Sequence, residues 1–172
     1  IVQASSTLQQ DWMLPQGEIN DGLTDRVSIY NPTPVEAIVQ LQVMPRDGSN
    51  VEPIAPFELR VPANNRVAVN LHQEARIPKG FQYSVRVVSS NQPVVVGRNV
   101  TGTSPALPFG SIYEAATAFT SKRWLLAAGD TGDPFSEQVY IQNPGVDVAA
   151  VRVDLIGGGA RMTATPQSLV IP

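Results

Sequence analysis

Apolar and polar residues alternate with a period of two along most of this chain. Ala37, Val39, Leu41 and Val43 are separated by Glu36, Ile38, Gln40 and Gln42. Phe57, Leu59 and Val61 alternate with Glu58 and Arg60. Val67, Val69 and Leu71 alternate with Arg66, Ala68 and Asn70. Phe81, Tyr83, Val85 and Val87 form the longest such face, with Gln82, Ser84 and Arg86 between them. Successive side chains of a strand point to opposite faces, so this pattern predicts strands with one face on a core and one in water. Val94-Val95-Val96 follows Pro93 and reads as a strand buried on both faces. Ile112 to Thr120 fits a strand through Tyr113, Ala115, Thr117 and Phe119, and a helix equally well. Turn signals separate the runs: Asn31-Pro32, Asp47-Gly48, Pro62-Ala63-Asn64-Asn65, Pro78-Lys79-Gly80 and Ser90-Asn91. Strands at this spacing predict an all-β fold, a β-sandwich or barrel.

The pattern repeats. Trp12-Met13-Leu14, Gly17-Glu18 and Val27-Ser28-Ile29-Tyr30-Asn31-Pro32 return as Trp124-Leu125-Leu126, Gly129-Asp130 and Val139-Tyr140-Ile141-Gln142-Asn143-Pro144, at a constant offset of 112 residues. The next strand follows in register, with Ala37, Val39, Leu41 and Val43 matching Ala149, Val151, Val153 and Leu155. Two residues are then deleted, and Leu59-Arg60-Val61-Pro62 matches Leu169-Val170-Ile171-Pro172. Self-similarity of this kind marks a tandem architecture. Residues 1–10 read as the end of a preceding unit or a linker strand, 11–120 as a complete β-sandwich, and 121–172 as the first half of a second. The opening on Ile1 reads as a processed or excised piece of a larger anchored protein, with no signal peptide in view.

Composition narrows the function classes. The chain has 172 residues, 42% of them hydrophobic and 16% charged, which is a globular balance. The net charge is −3, and the two lysines and ten arginines form no basic cluster, so nucleic acid is not an expected partner. No apolar run reaches the roughly 18 residues a membrane helix needs. Cysteine is absent and His72 is the single histidine, which excludes disulfides, thiolate chemistry and multi-histidine metal sites.

Several residues could carry chemistry, each with a plainer reading beside it. Glu18, Asn20 and Asp21 form an acidic loop that Asp130, Thr131 and Asp133 repeat in the second copy. Alternating oxygens could hold calcium, but the calcium-loop spacing is missing, and Glu18, Asp21, Asp130 and Asp133 remain weak metal candidates. Paired carboxylates there could serve a hydrolase. His72 lacks a Gly-x-Ser-x-Gly elbow elsewhere in the chain and reads as a turn residue. Asn99-Val100-Thr101 fits a glycosylation triplet but falls in a strand. Trp12 and Trp124 suit a sandwich core, or sugar stacking if exposed. Arg86 and Arg98 read as a solvated face that could meet an acidic partner or a glycolipid headgroup. Val151, Val153 and Leu155 belong to a half copy whose apolar face and strand edges need a cover from strand addition or packing.

The motif string also resembles a known family. Trp12, Gly17-Glu18-Ile19, Asn31, Val61-Pro62-Ala63, Asn70-Leu71, Ile77-Pro78, Tyr83-Ser84-Val85, Ser90 and Pro93-Val94-Val95-Val96 follow the order of the sensory rhodopsin transducer domain, a small β-sandwich. The string is similar as well to tandem uncharacterised domains of large secreted or envelope-anchored actinobacterial proteins. The resemblance covers residues 11–120, and 121–172 as a half copy. It implies a location outside the cell or on the periplasmic side of the envelope and a scaffold or interaction role. No cofactor or catalysis is expected. The expected partner is an envelope protein or another copy of the chain, with a glycan or glycolipid as the alternative.

Overall fold

The computed structural model describes residues 7–46, 51–102, 110–127, 129, 138–157 and 160–172. The chain divides into two compact units, Ile1–Tyr140 and Ile141–Pro172.

The first unit is an all-β sandwich of eight strands: β1 (Asp11–Ile19), β2 (Leu23–Asn31), β3 (Ala37–Pro45), β4 (Phe57–Val61), β5 (Asn65–Asn70), β6 (Phe81–Ser89), β7 (Val95–Gly102) and β8 (Gly110–Ala115). One sheet has the order β1-β6-β3-β4 and the other β5-β2-β7-β8, with every pairing antiparallel. The alternation read from the sequence places Val39, Leu41, Val85 and Val87 of the first sheet against Val27, Ile29 and Val96 of the second, all within one buried cluster. Burying each such side chain contributes roughly 1.5–3 kcal/mol, so the alternation accounts for the fold. The segment that fitted helix or strand is the strand β8. Its continuation crosses to the other sheet, where Thr117 and Met13 exchange backbone hydrogen bonds of 2.7 and 3.0 Å.

Local rules fix the details. β1 carries a bulge between Leu14 and Gly17, where Pro15 has no N–H to give the ladder. Beyond the bulge, Gly17 lies directly under the Tyr83 ring, and a side chain there would collide with it. The tight turn before β5 puts Asn64 at a φ of +52°, a conformation that asparagine tolerates better than most residues. Trp12 is 2% exposed, and its indole N–H reaches the carbonyls of Gln9 and Val94 at 3.1 and 3.0 Å. Asn31 is fully buried. Its amide nitrogen donates toward the carbonyls of Val35, Val61 and Pro62 at 2.7–3.2 Å, and its oxygen accepts from Thr33. One side chain thus ties the β2–β3 turn to the end of β4, which explains the Asn-Pro motif.

The second unit is a hairpin of β9 (Ala149–Gly157) and β10 (Ala160–Ile171). Ala149 pairs with Ile171 and Val151 with Leu169, as Ala37 pairs with Val61 and Val39 with Leu59. Asn143 repeats the tie of Asn31, donating to the carbonyls of Asp147, Ile171 and Pro172 at 2.8, 3.4 and 3.1 Å. Over residues 149–152 and 168–171, β9 and β10 therefore reproduce the β3–β4 register, which an irregularity between Thr163 and Ser168 then interrupts.

Among the described residues, the counterparts of β1 and β2 form no strand. In the first unit β1 pairs with β6, β2 lies between β5 and β7, and β3 and β4 pair with each other.

Candidate functional site

The sandwich interior holds a charged cluster. Asp25 on β2 and Arg98 on β7 are 0% and 1% exposed and make a two-pronged ion pair of 2.8 and 2.7 Å. The Tyr83 hydroxyl, from the opposite sheet, donates to the same carboxylate. A third contact comes from β8, where Glu114 stands 3.8 Å from the Arg98 Nη1 atom. Burial and the Asp25 charge push the Tyr83 phenol well above its ordinary pKa, so it stays a hydrogen-bond donor. Burial raises the Glu114 carboxyl as well, with the Arg98 charge opposing and the Asp25 charge adding to the rise. The backbone N–H of Asp25 donates to His72 Nδ1 at 3.3 Å. The cluster is built across the two sheets and pins them together.

Arg98 is therefore not part of a solvated face with Arg86. It belongs to the inward row Val94, Val96, Arg98 and is enclosed. Its strand lacks the alternation that marks a polar face, because the Val94-Val95-Val96 run is apolar on both sides. Asp25 and Tyr83 were legible by parity: Asp25 shares its face with Val27 and Ile29, and Tyr83 with Val85 and Val87. Arg86 does lie on the outer face of β6, where it holds Asp11 with hydrogen bonds of 2.9 and 2.6 Å.

The acidic loop is divided among separate partners. Glu18 accepts from Asn20, and Asp21 is bridged to Lys79 at 2.6 Å. That cation holds the Asp21 carboxyl below its usual range. A shallow depression there is lined by Asp21, Thr24, His72 and Lys79. Asp130 and Asp133 lie outside the described residues. Among the described residues, no three carboxylate or imidazole groups converge on one point.

The second copy presents the opposite picture. Trp124 is 61% exposed where Trp12 is buried, and Leu126 is 70% exposed against 1% for Leu14. Val139, Ile141 and Leu155 are exposed where Val27, Ile29 and Val43 are buried. Val151 and Val153 are half-buried. β9 pairs with β10 on one edge, and among the described residues no strand pairs with the other. Positions that build the core of the first copy thus form apolar surface and an open strand edge in the second. Such features mark interaction surfaces in soluble proteins.

Comparison with known proteins supports the fold. No family model matches the chain, and no curated protein matches it. The structure of Thermotoga maritima 1070 superposes with a TM-score of 0.55 at 18% identity, over 63% of this chain and 93% of that one. The likeness shows a shared fold. The chain is also similar to the Anabaena sensory rhodopsin transducer, at 25% identity and a TM-score of 0.46, over 55% of this chain and 91% of that one. The transducer-like sandwich named from the motifs is thus among the solved structures it resembles. No helix among the described residues is long and apolar enough to cross a membrane.

Proposed function

We propose that this chain is a non-catalytic interaction module of a larger cell-envelope protein, on the extracellular or periplasmic side. It binds a protein partner through the open second copy, while the complete sandwich serves as a rigid spacer. One observation carries the reading: apolar positions that form the core in one copy face solvent in the other. Tandem repetition fits a scaffold role.

The exposure of Trp124 favours a second reading, a carbohydrate- or glycolipid-binding module in which that ring stacks on a sugar. Both readings are tested by cross-linked capture from native envelope extract with the full chain, beside a Val153→Asp variant and a Trp124→Ala variant. The interaction reading expects one protein at a fixed ratio to the chain, lost with Val153→Asp and recovered when the two purified proteins are mixed. Retention of defined glycans without protein, abolished by Trp124→Ala, would replace it with the second reading.

A further inference from the structure

β8 closes one end of the β5-β2-β7-β8 sheet, and little apolar burial holds it there. Its register on β7 sets Ile112 opposite Val100 and Glu114 opposite Arg98, so these two side chains share the inward face. Ile112 is 70% exposed, and the outward Tyr113 rests on Gly97 while staying exposed itself. Glu114 is half-buried and is the side chain of this strand that meets the interior charge cluster. The charges acting on it are those of Arg98 on β7 and Asp25 on β2, and the Tyr83 hydroxyl on β6 completes the cluster.

With Glu114 ionised, one guanidinium serves two carboxylates. Its Nε and Nη2 atoms are engaged by Asp25. Its Nη1 atom is buried without a hydrogen-bond partner and stands 3.8 Å from Glu114, beyond hydrogen-bond range. The ionised Glu114 carboxylate thus gives up water without a hydrogen bond in return, a penalty that the neutral acid largely escapes. We propose that β8 is a proton-controlled edge strand, docked tightly with Glu114 neutral and loosened when that carboxyl ionises. Burial raises the Glu114 carboxyl above its ordinary 4.5, so the docked strand takes up a proton. The resulting stabilisation is complete below that ordinary value and is lost as pH rises past the raised one. Loosening is confined to the strand itself, because the chain beyond it is held by the Ala116 N–H on the Val96 carbonyl and by the Thr117–Met13 pair. It bares the edge of β7 between Arg98 and Gly102, where an unpaired ladder can accept another strand. The device lies within the complete sandwich and is independent of the second copy.

The test is amide hydrogen exchange of the 172-residue chain from about pH 4 to pH 8, taken as protection relative to the intrinsic rate at each pH, beside the carbon resonance of the Glu114 carboxyl. The β8 amides bonded to β7 should lose protection as pH rises, with a midpoint matching the Glu114 titration, while those bonded within β3 and β6 do not follow it. Glu114→Gln, neutral and of the same shape, should keep the acid-pH protection of β8 throughout. Protection of β8 that ignores pH overturns the proposal. So does a loss that persists in Glu114→Gln, or one whose midpoint departs from the Glu114 titration. Should the variant fail to fold, seen as lost protection in β3 and β6, agreement or disagreement of the two midpoints in the native chain decides alone.

Discussion

Arg98→Met is expected to destabilise the complete sandwich by about 3–5 kcal/mol, the usual cost of removing one member of a buried ion pair. The substitution keeps much of the side-chain volume and removes the guanidinium. Asp25, at 0% exposure, then keeps the Tyr83 hydroxyl but loses both guanidinium hydrogen bonds. The remaining carboxylate is buried without its cation, and its desolvation is no longer offset. Adding Asp25→Leu and Tyr83→Phe to Arg98→Met should recover most of the loss, because an apolar cluster then fills the site with neither an uncompensated charge nor an unpaired hydroxyl. Denaturant unfolding of the two variants checks the claim. A loss below about 1 kcal/mol for Arg98→Met would mean that the charge is hydrated and the cluster does not pin the sheets.

The two tryptophans should answer alanine substitution very differently. Trp12→Ala removes a buried ring together with its hydrogen bonds to Gln9 and Val94, and should cost about 3–5 kcal/mol. Trp124→Ala removes a ring that is 61% exposed. It should change stability by no more than about 0.5 kcal/mol, the range of ordinary surface substitutions. Equal effects would show that the second copy buries its tryptophan as the first does. The contrast is informative because the local sequences match closely. Environment, not residue type, decides the outcome.

The alternation along Ala37–Val43, Phe57–Val61 and Phe81–Val87 made the sandwich legible, since a period of two with turn residues between leaves few other architectures. The repeat was legible for the same reason, and the Asn31 and Asn143 ties give its Asn-Pro motif a physical cause. The interior charge cluster was less visible. An arginine in a strand usually faces water, and only parity with Val94 and Val96 distinguishes Arg98 from Arg86. The half copy's apolar face and open strand edge were expected from the repeat, through Val151, Val153 and Leu155. The exposure of Trp124, Val139 and Ile141 was not legible from those residues themselves, because they carry the same pattern as their buried counterparts.

Residue-resolved hydrogen exchange of the free 172-residue chain tests the openness of the second copy most directly. The amides of β3 and β6 that are bonded within the sheet should exchange only through global unfolding. Those of β9 should exchange faster by at least about a hundredfold, because among the described residues β9 is paired on one edge alone and the hairpin opens locally. Equal protection of β9 and β3 in the free chain would contradict an open edge and, with it, the interaction surface built upon it.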